Sequence, residues 1–97
     1  MSTDEEQAET PHIWVFNGEQ SAFPSGAFST RELAERWIGQ HKLTGMLTAY
    51  PLDQGAYQWA IEQGVFTPTK DYQHEAKFIG RFTSAALEHY HYEDGIC

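Results

Sequence analysis

His12-Ile-Trp-Val-Phe-Asn-Gly18 is the stretch whose reading decides the fold. Its unbroken run of β-branched and aromatic residues suits a pleated, packed backbone better than a helix. Ile13 and Val15 project to one side, Trp14 and Phe16 to the other. A strand apolar on both sides is expected at the centre of a sheet, covered on both faces. Asn17-Gly18 then reads as a turn, since both residues tolerate positive φ. A second strand is expected through Ala22-Phe23 and Gly26-Ala27-Phe28, kept at an edge because Pro24 removes a ladder donor.

The next segment carries helix signals. Ser29 is expected to cap it and Glu32 to complete a capping box, with Phe28 and Leu33 at hydrophobic-staple spacing. Leu33, Ala34, Trp37 and Ile38 make an apolar stripe of helical period. Arg31–Glu35 and Glu32–Arg36 are opposite charges four apart, placed on the solvent side. The helix spans about 30–41. A third strand follows from Gly45 to Tyr50 and closes at Pro51. A second helix is expected at about 54–63, with Asp53 as cap, Gly64 as stop and Trp59 off the Tyr57, Ala60, Ile61 stripe. Thr67 to Glu75 reads as a loop.

Lys77-Phe-Ile-Gly-Arg-Phe82 alternates and predicts another strand, with Gly80 marking a bulge or a close approach. Glu88-His-Tyr-His-Tyr92 predicts the last one. Together these segments predict an α+β domain over 12–97: a mostly antiparallel sheet of four or five strands with two helices. Residues 1–11, polar and acidic, read as a disordered tail.

Composition narrows the functional classes. The chain has 97 residues, 40% of them hydrophobic, and a formal charge of −8. Its length supports one modest core and leaves little room for a deep catalytic chamber. Fourteen acids face six bases; from Pro11 onward the balance is ten to six. An acidic surface repels phosphate backbones, so direct nucleic-acid binding is not expected. It suits a basic protein partner. The lone cysteine, Cys97, cannot form an internal disulfide and points to a reducing compartment. There is no signal-peptide pattern and no apolar run long enough to cross a bilayer. A cytoplasmic location is expected.

No catalytic constellation emerges. Glu62, Asp53 and Asp71 are not paired by spacing, Ser25 and Ser84 lack a nucleophile elbow, and the glycines form no phosphate loop. A non-enzymatic role without a cofactor is therefore expected. The densest cluster of functional side chains is Glu88-His89-Tyr90-His91-Tyr92-Glu93-Asp94. On a strand His89, His91 and Glu93 would share one face, an incomplete shell for zinc or iron to which His12, His41 or His74 would have to add. A metal-binding module or small metal-dependent enzyme built on that face is the alternative reading, and docking to a protein is the leading one. Spare aromatics with polar handles anchor interfaces. Trp59, Tyr90 and Tyr92, rimmed by Glu62, Glu88, Glu93 and Asp94 and joined by His89 and His91, make the expected partner-binding surface.

Trp14-Val-Phe-Asn-Gly18, Phe23-Pro-Ser-Gly26, Lys42-Leu-Thr-Gly45, Tyr50-Pro51 and the closing Glu88-His-Tyr-His-Tyr-Glu-Asp-Gly95 resemble a family of small uncharacterised bacterial proteins. The resemblance implies a stand-alone domain and transfers no catalytic residues. By analogy of size and charge, the expected role is that of an immunity protein or inhibitor acting on a basic macromolecule.

Overall fold

The computed structural model describes residues 11–97, so the expected tail, apart from Pro11, lies outside them. Strands β1 (His12–Gly18), β2 (Gly26–Phe28), β3 (Gly45–Pro51) and β4 (His89–Tyr92) form one antiparallel sheet in the order β2-β1-β3-β4. Helices α1 (Arg31–His41), α2 (Ala56–Glu62) and α3 (Ala76–Arg81) accompany it, with a 3₁₀ turn at Asp71–His74. The fold is α+β.

β1 is central, as its apolar run requires. Trp14 stands opposite both Phe28 and Ala49, and Phe16 stands opposite Leu47. On that side of the sheet α1 lays down Ala34 and Ile38, which with Phe16, Leu47 and Tyr92 form the buried core. Trp37 extends it, edge-on to Phe16 at 5.8 Å and tilted against Phe28 at 5.3 Å. Fully burying a side chain such as Phe16, Ile38 or Leu47 contributes about 1.5–3 kcal/mol. These contacts fix α1 to the sheet.

The opposite face is different. Ile13, Val15, Asn17, Thr48, Tyr50 and His89 are only half-buried, and Ala27, Met46 and His91 are exposed. Phe16 and Leu47, one position away, are 1% and 0% exposed. The sheet is thus sealed on one face, and the expected cover on both faces of β1 is not found.

Local details also depart from the sequence reading. Asn17 and Gly18 belong to β1, pairing with Met46 and Gly45, and the chain turns just after them, where Gln20 takes φ 61°. Ala22-Phe23 lies outside β2. The cap of α1 is Thr30, whose hydroxyl accepts from the Leu33 amide at 3.2 Å, so the expected capping box and staple on Ser29 do not form. Phe28 packs on Trp37 instead. Asp53 does not cap α2. It takes φ 63° in the preceding turn, and Gly55 caps the helix with no side-chain hydrogen bond. The stop at Gly64 does form: at φ 76° it donates to Ile61 O, while Val65 donates to Ala60 O.

The largest departure is Lys77–Phe82. It forms α3 and its cap rather than a strand, and a Cβ on Gly80 would meet nothing within 4 Å, so no bulge or close approach exists there. Phe78 and Phe82, four apart, share a side under either period, so the two rings could not tell helix from strand. Their neighbours could. Phe82 packs on Phe66 at 4.8 Å and on Tyr57 at 5.6 Å, and Phe78 meets Tyr72 at 5.7 Å. Tyr57 fixes this second cluster to the loop before it, its hydroxyl donating to Gln73 O at 2.8 Å.

Candidate functional site

β4 is an edge strand paired only with β3, and alternation splits the His-Tyr-His-Tyr run. Both tyrosines point to the α1 side. Tyr92 is buried at 5% exposure, and its hydroxyl donates to Glu35 on α1. Tyr90 is half-buried, stacked on Trp14 at 6.2 Å, with the Arg31 guanidinium carbon 3.5 Å above its ring. Its hydroxyl donates to Glu88.

The Arg31–Glu35 pair, expected on the solvent side, therefore turns toward β4. Nε to Oε2 is 3.0 Å, and the two side chains are 35% and 37% exposed. It is the ion pair found among the described residues; Glu32 and Arg36 do not form one. The Tyr92 hydroxyl, followed by Arg31, holds the Glu35 carboxyl below its ordinary range despite some burial. Burial, then the Glu35 contact, pushes the Tyr92 phenol well above its ordinary value. The hydrogen bond to Glu88 raises that of Tyr90 as well. Sequence reasoning missed Arg31, Glu35 and Trp14 as partners of these tyrosines; the only signal available was the i,i+4 charge pair itself.

The histidines point the other way, to the open face, their rings 5.6 Å apart and nearly perpendicular. His89 Nδ1 lies 2.7 Å from the Leu87 carbonyl, which can only accept, so Nδ1 carries a hydrogen and donates it there. Glu93 does not continue the strand: it enters a bridge with Ile96, exchanging backbone hydrogen bonds of 2.8 and 3.0 Å. Among the described residues no three His, Cys, Asp or Glu side chains converge as a metal shell would require. His89, His91 and Glu93 do not come together as one.

Around His89 the open face is concave. Asn17, Met46, Thr48 and Tyr50 form its floor, and the segment Thr83–Ala85 walls one side, enclosing about 480 Å³. Alternation in β3 set Met46, Thr48 and Tyr50 on one side, yet the sequence alone did not tell that side from the core. Glu88, Glu93 and Asp94 are exposed at the neighbouring edge and turn. Trp59 is half-buried and Glu62 exposed on α2, where Gln54 Nε2 donates to Glu62 at 2.7 Å. α2 packs against β3, and neither residue bonds to the 88–94 segment.

No helix among the described residues is long and apolar enough to cross a membrane. A family model described as a domain of unknown function, DUF7710, matches residues 13–97. No curated protein and no solved structure matches the chain.

Proposed function

We propose for this chain, which belongs to the DUF7710 family of domains of unknown function, a non-enzymatic role in binding a basic protein. The docking surface is the open face of the sheet, with Met46, Thr48, Tyr50, His89 and His91 at its centre and Glu88, Glu93 and Asp94 at its rim. One observation carries this reading: the sheet buries Phe16, Leu47, Ala49 and Tyr92 on one side and fully buries nothing on the other. Antiparallel sheets do leave a face to water, but with polar residues outward. Here Ile13, Val15, Met46 and Tyr50 occupy outward positions, and apolar surface rimmed by polar groups marks an interaction site.

Charge selects the partner. Ten acids against six bases from Pro11 onward favour a positively charged surface, and the exposed carboxylates flanking β4 would meet it first. Such a domain acts by occlusion, as an inhibitor or immunity protein does. Tyr90 and Tyr92 contribute by holding β4 against α1, and His91 and the acidic turn contribute contacts.

Immobilised full-length protein and its Met46→Asp variant, both checked for native circular dichroism, test this on a lysate of the native host. The expected result is a basic protein retained at low salt, weakened at high salt and lost on Met46→Asp. Retention of the same proteins by both forms, or of none, would overturn it.

A further inference from the structure

We infer that the cleft beside α3 binds a small planar aromatic anion. The cleft encloses about 460 Å³ and is lined by Tyr72, Glu75, Lys77, Phe78, Arg81 and Phe82. That volume lies within the range of small-molecule sites. Lys77 and Arg81 are four apart on the helix, and Phe78 stands on it four residues before Phe82 at its cap, so two cations and two rings line the same cleft. The rings are held from behind: Phe78 stacks on Phe66 at 6.0 Å, and Tyr57 stands edge-on to Phe78 and Phe82 at 6.2 and 5.6 Å. Tyr72 meets Phe78 nearly perpendicularly and keeps 52% of its surface exposed, free to cover a ring laid in the cleft.

The electrostatics run against the rest of the molecule. Lys70, Lys77 and Arg81 are three of the six bases, and with Asp71 and Glu75 they give residues 70–81 a charge of +1. The other residues from Pro11 onward carry three bases and eight acids, a charge of −5. Neither Lys77 nor Arg81 forms an ion pair among the described residues, although Glu75 lines the same cleft. A small anion is therefore drawn to this cleft and repelled elsewhere. The aromatic walls favour a flat ring over a bare ion. Arg81 can bind a phosphate or carboxylate through two N–H groups, and Lys77 adds a point charge. This site is separate from the open sheet face and does not depend on its role.

Two-dimensional NMR of the full chain, titrated separately with adenosine monophosphate and with 2-naphthoate, provides the test. Both should shift amides within residues 70–82 and leave β4 unmoved. Adenosine lacking the phosphate should bind about tenfold more weakly, as should Arg81→Gln and Lys77→Gln, since one charge-assisted contact accounts for roughly that factor. Inorganic phosphate lacking the ring should lose about tenfold through the missing aromatic stacking. Arg36→Gln, an exposed base on α1 away from the cleft and in no ion pair among the described residues, serves as a folded control with unchanged affinity. No localised shift with either probe at millimolar concentration would overturn the inference. So would equal binding by Arg81→Gln and the wild type, or shifts produced only by a polyglutamate peptide, which would assign the cleft to acidic polypeptide.

Discussion

Tyr92 on β4 donates its hydroxyl hydrogen to Glu35 on α1 across 57 positions of sequence, and the same carboxylate oxygen accepts from Arg31. One carboxylate thus joins the edge strand to the helix that covers the sheet. Without it, β4 is held to the rest of the fold by its ladder with β3, by Tyr90 and by the Gly95 amide, which donates to Leu43 O at 2.8 Å.

Tyr92→Phe keeps the buried ring and removes the bond. The expected loss is about 1 kcal/mol, since Glu35 stays partly hydrated. In a domain of this size that lowers the melting temperature by roughly 4–8 °C. Calorimetry checks it. A double-mutant cycle with Glu35→Gln should show the two losses to be coupled rather than additive.

Acid should weaken the same junction. The folded-state pKa of Glu35 is depressed, so its contribution is fully present above the ordinary carboxyl value of 4.5 and is lost as pH falls through the lower folded value. With both partners of the ion pair about a third exposed, the effect should stay below about 1 kcal/mol. Urea midpoints taken from pH 7 downward should fall less steeply for Glu35→Gln than for the wild type.

Base acts through Tyr92. Its pKa is raised by burial, so the stability it brings is present below the ordinary phenol value of 10.0 and is lost as pH rises above it. Ultraviolet titration of the five tyrosines should show one that ionises last, and Tyr92→Phe should remove that step. Parallel loss of every phenolic proton in the folded protein would contradict the assignment.

Capping of α1 is open to a direct comparison. Thr30→Ala removes the hydroxyl that accepts from Leu33 N and should cost about 1 kcal/mol. Ser29→Ala, one residue earlier, should stay within about 0.5 kcal/mol. Equal costs at the two positions would place the cap wrongly.

Gly45 permits the close approach of β3 to β1. A Cβ there would stand 2.2 Å from the Asn17 carbonyl oxygen and 2.8 Å from the Phe16 ring. Gly45→Ala must push the central strands apart and should cost about 3 kcal/mol or more. Denaturant titration measures it, and an unchanged midpoint would refute the contact.

How much of this was legible in advance varies from segment to segment. β1, β3 and α1 announce themselves through long apolar patterns, and β4 through its alternation. The cap of α1 was read one residue early because Ser29 and Thr30 are chemically equivalent acceptors, and only the backbone path chooses between them. Asp53 looked like a cap on the same chemistry, but its φ of 63° places it in the turn before α2. The cleft beside α3 went unseen because Phe78, Gly80 and Phe82 read as one face of a strand. As a strand, that segment would have set Lys77 and Arg81 on the reverse face instead of beside the rings.

By itself the sequence determined the class of fold, the central place of β1 and the amphipathic helix that follows it, because each rests on local patterns of apolar spacing. It also put the tyrosines of β4 on one face and the histidines on the other. Only the tertiary structure decided which face α1 would cover. A strand apolar on both sides offers two candidate cores, and a single helix long enough to seal one leaves the other open. That choice buried Tyr92 against Glu35 and left Met46, Tyr50 and His91 facing outward.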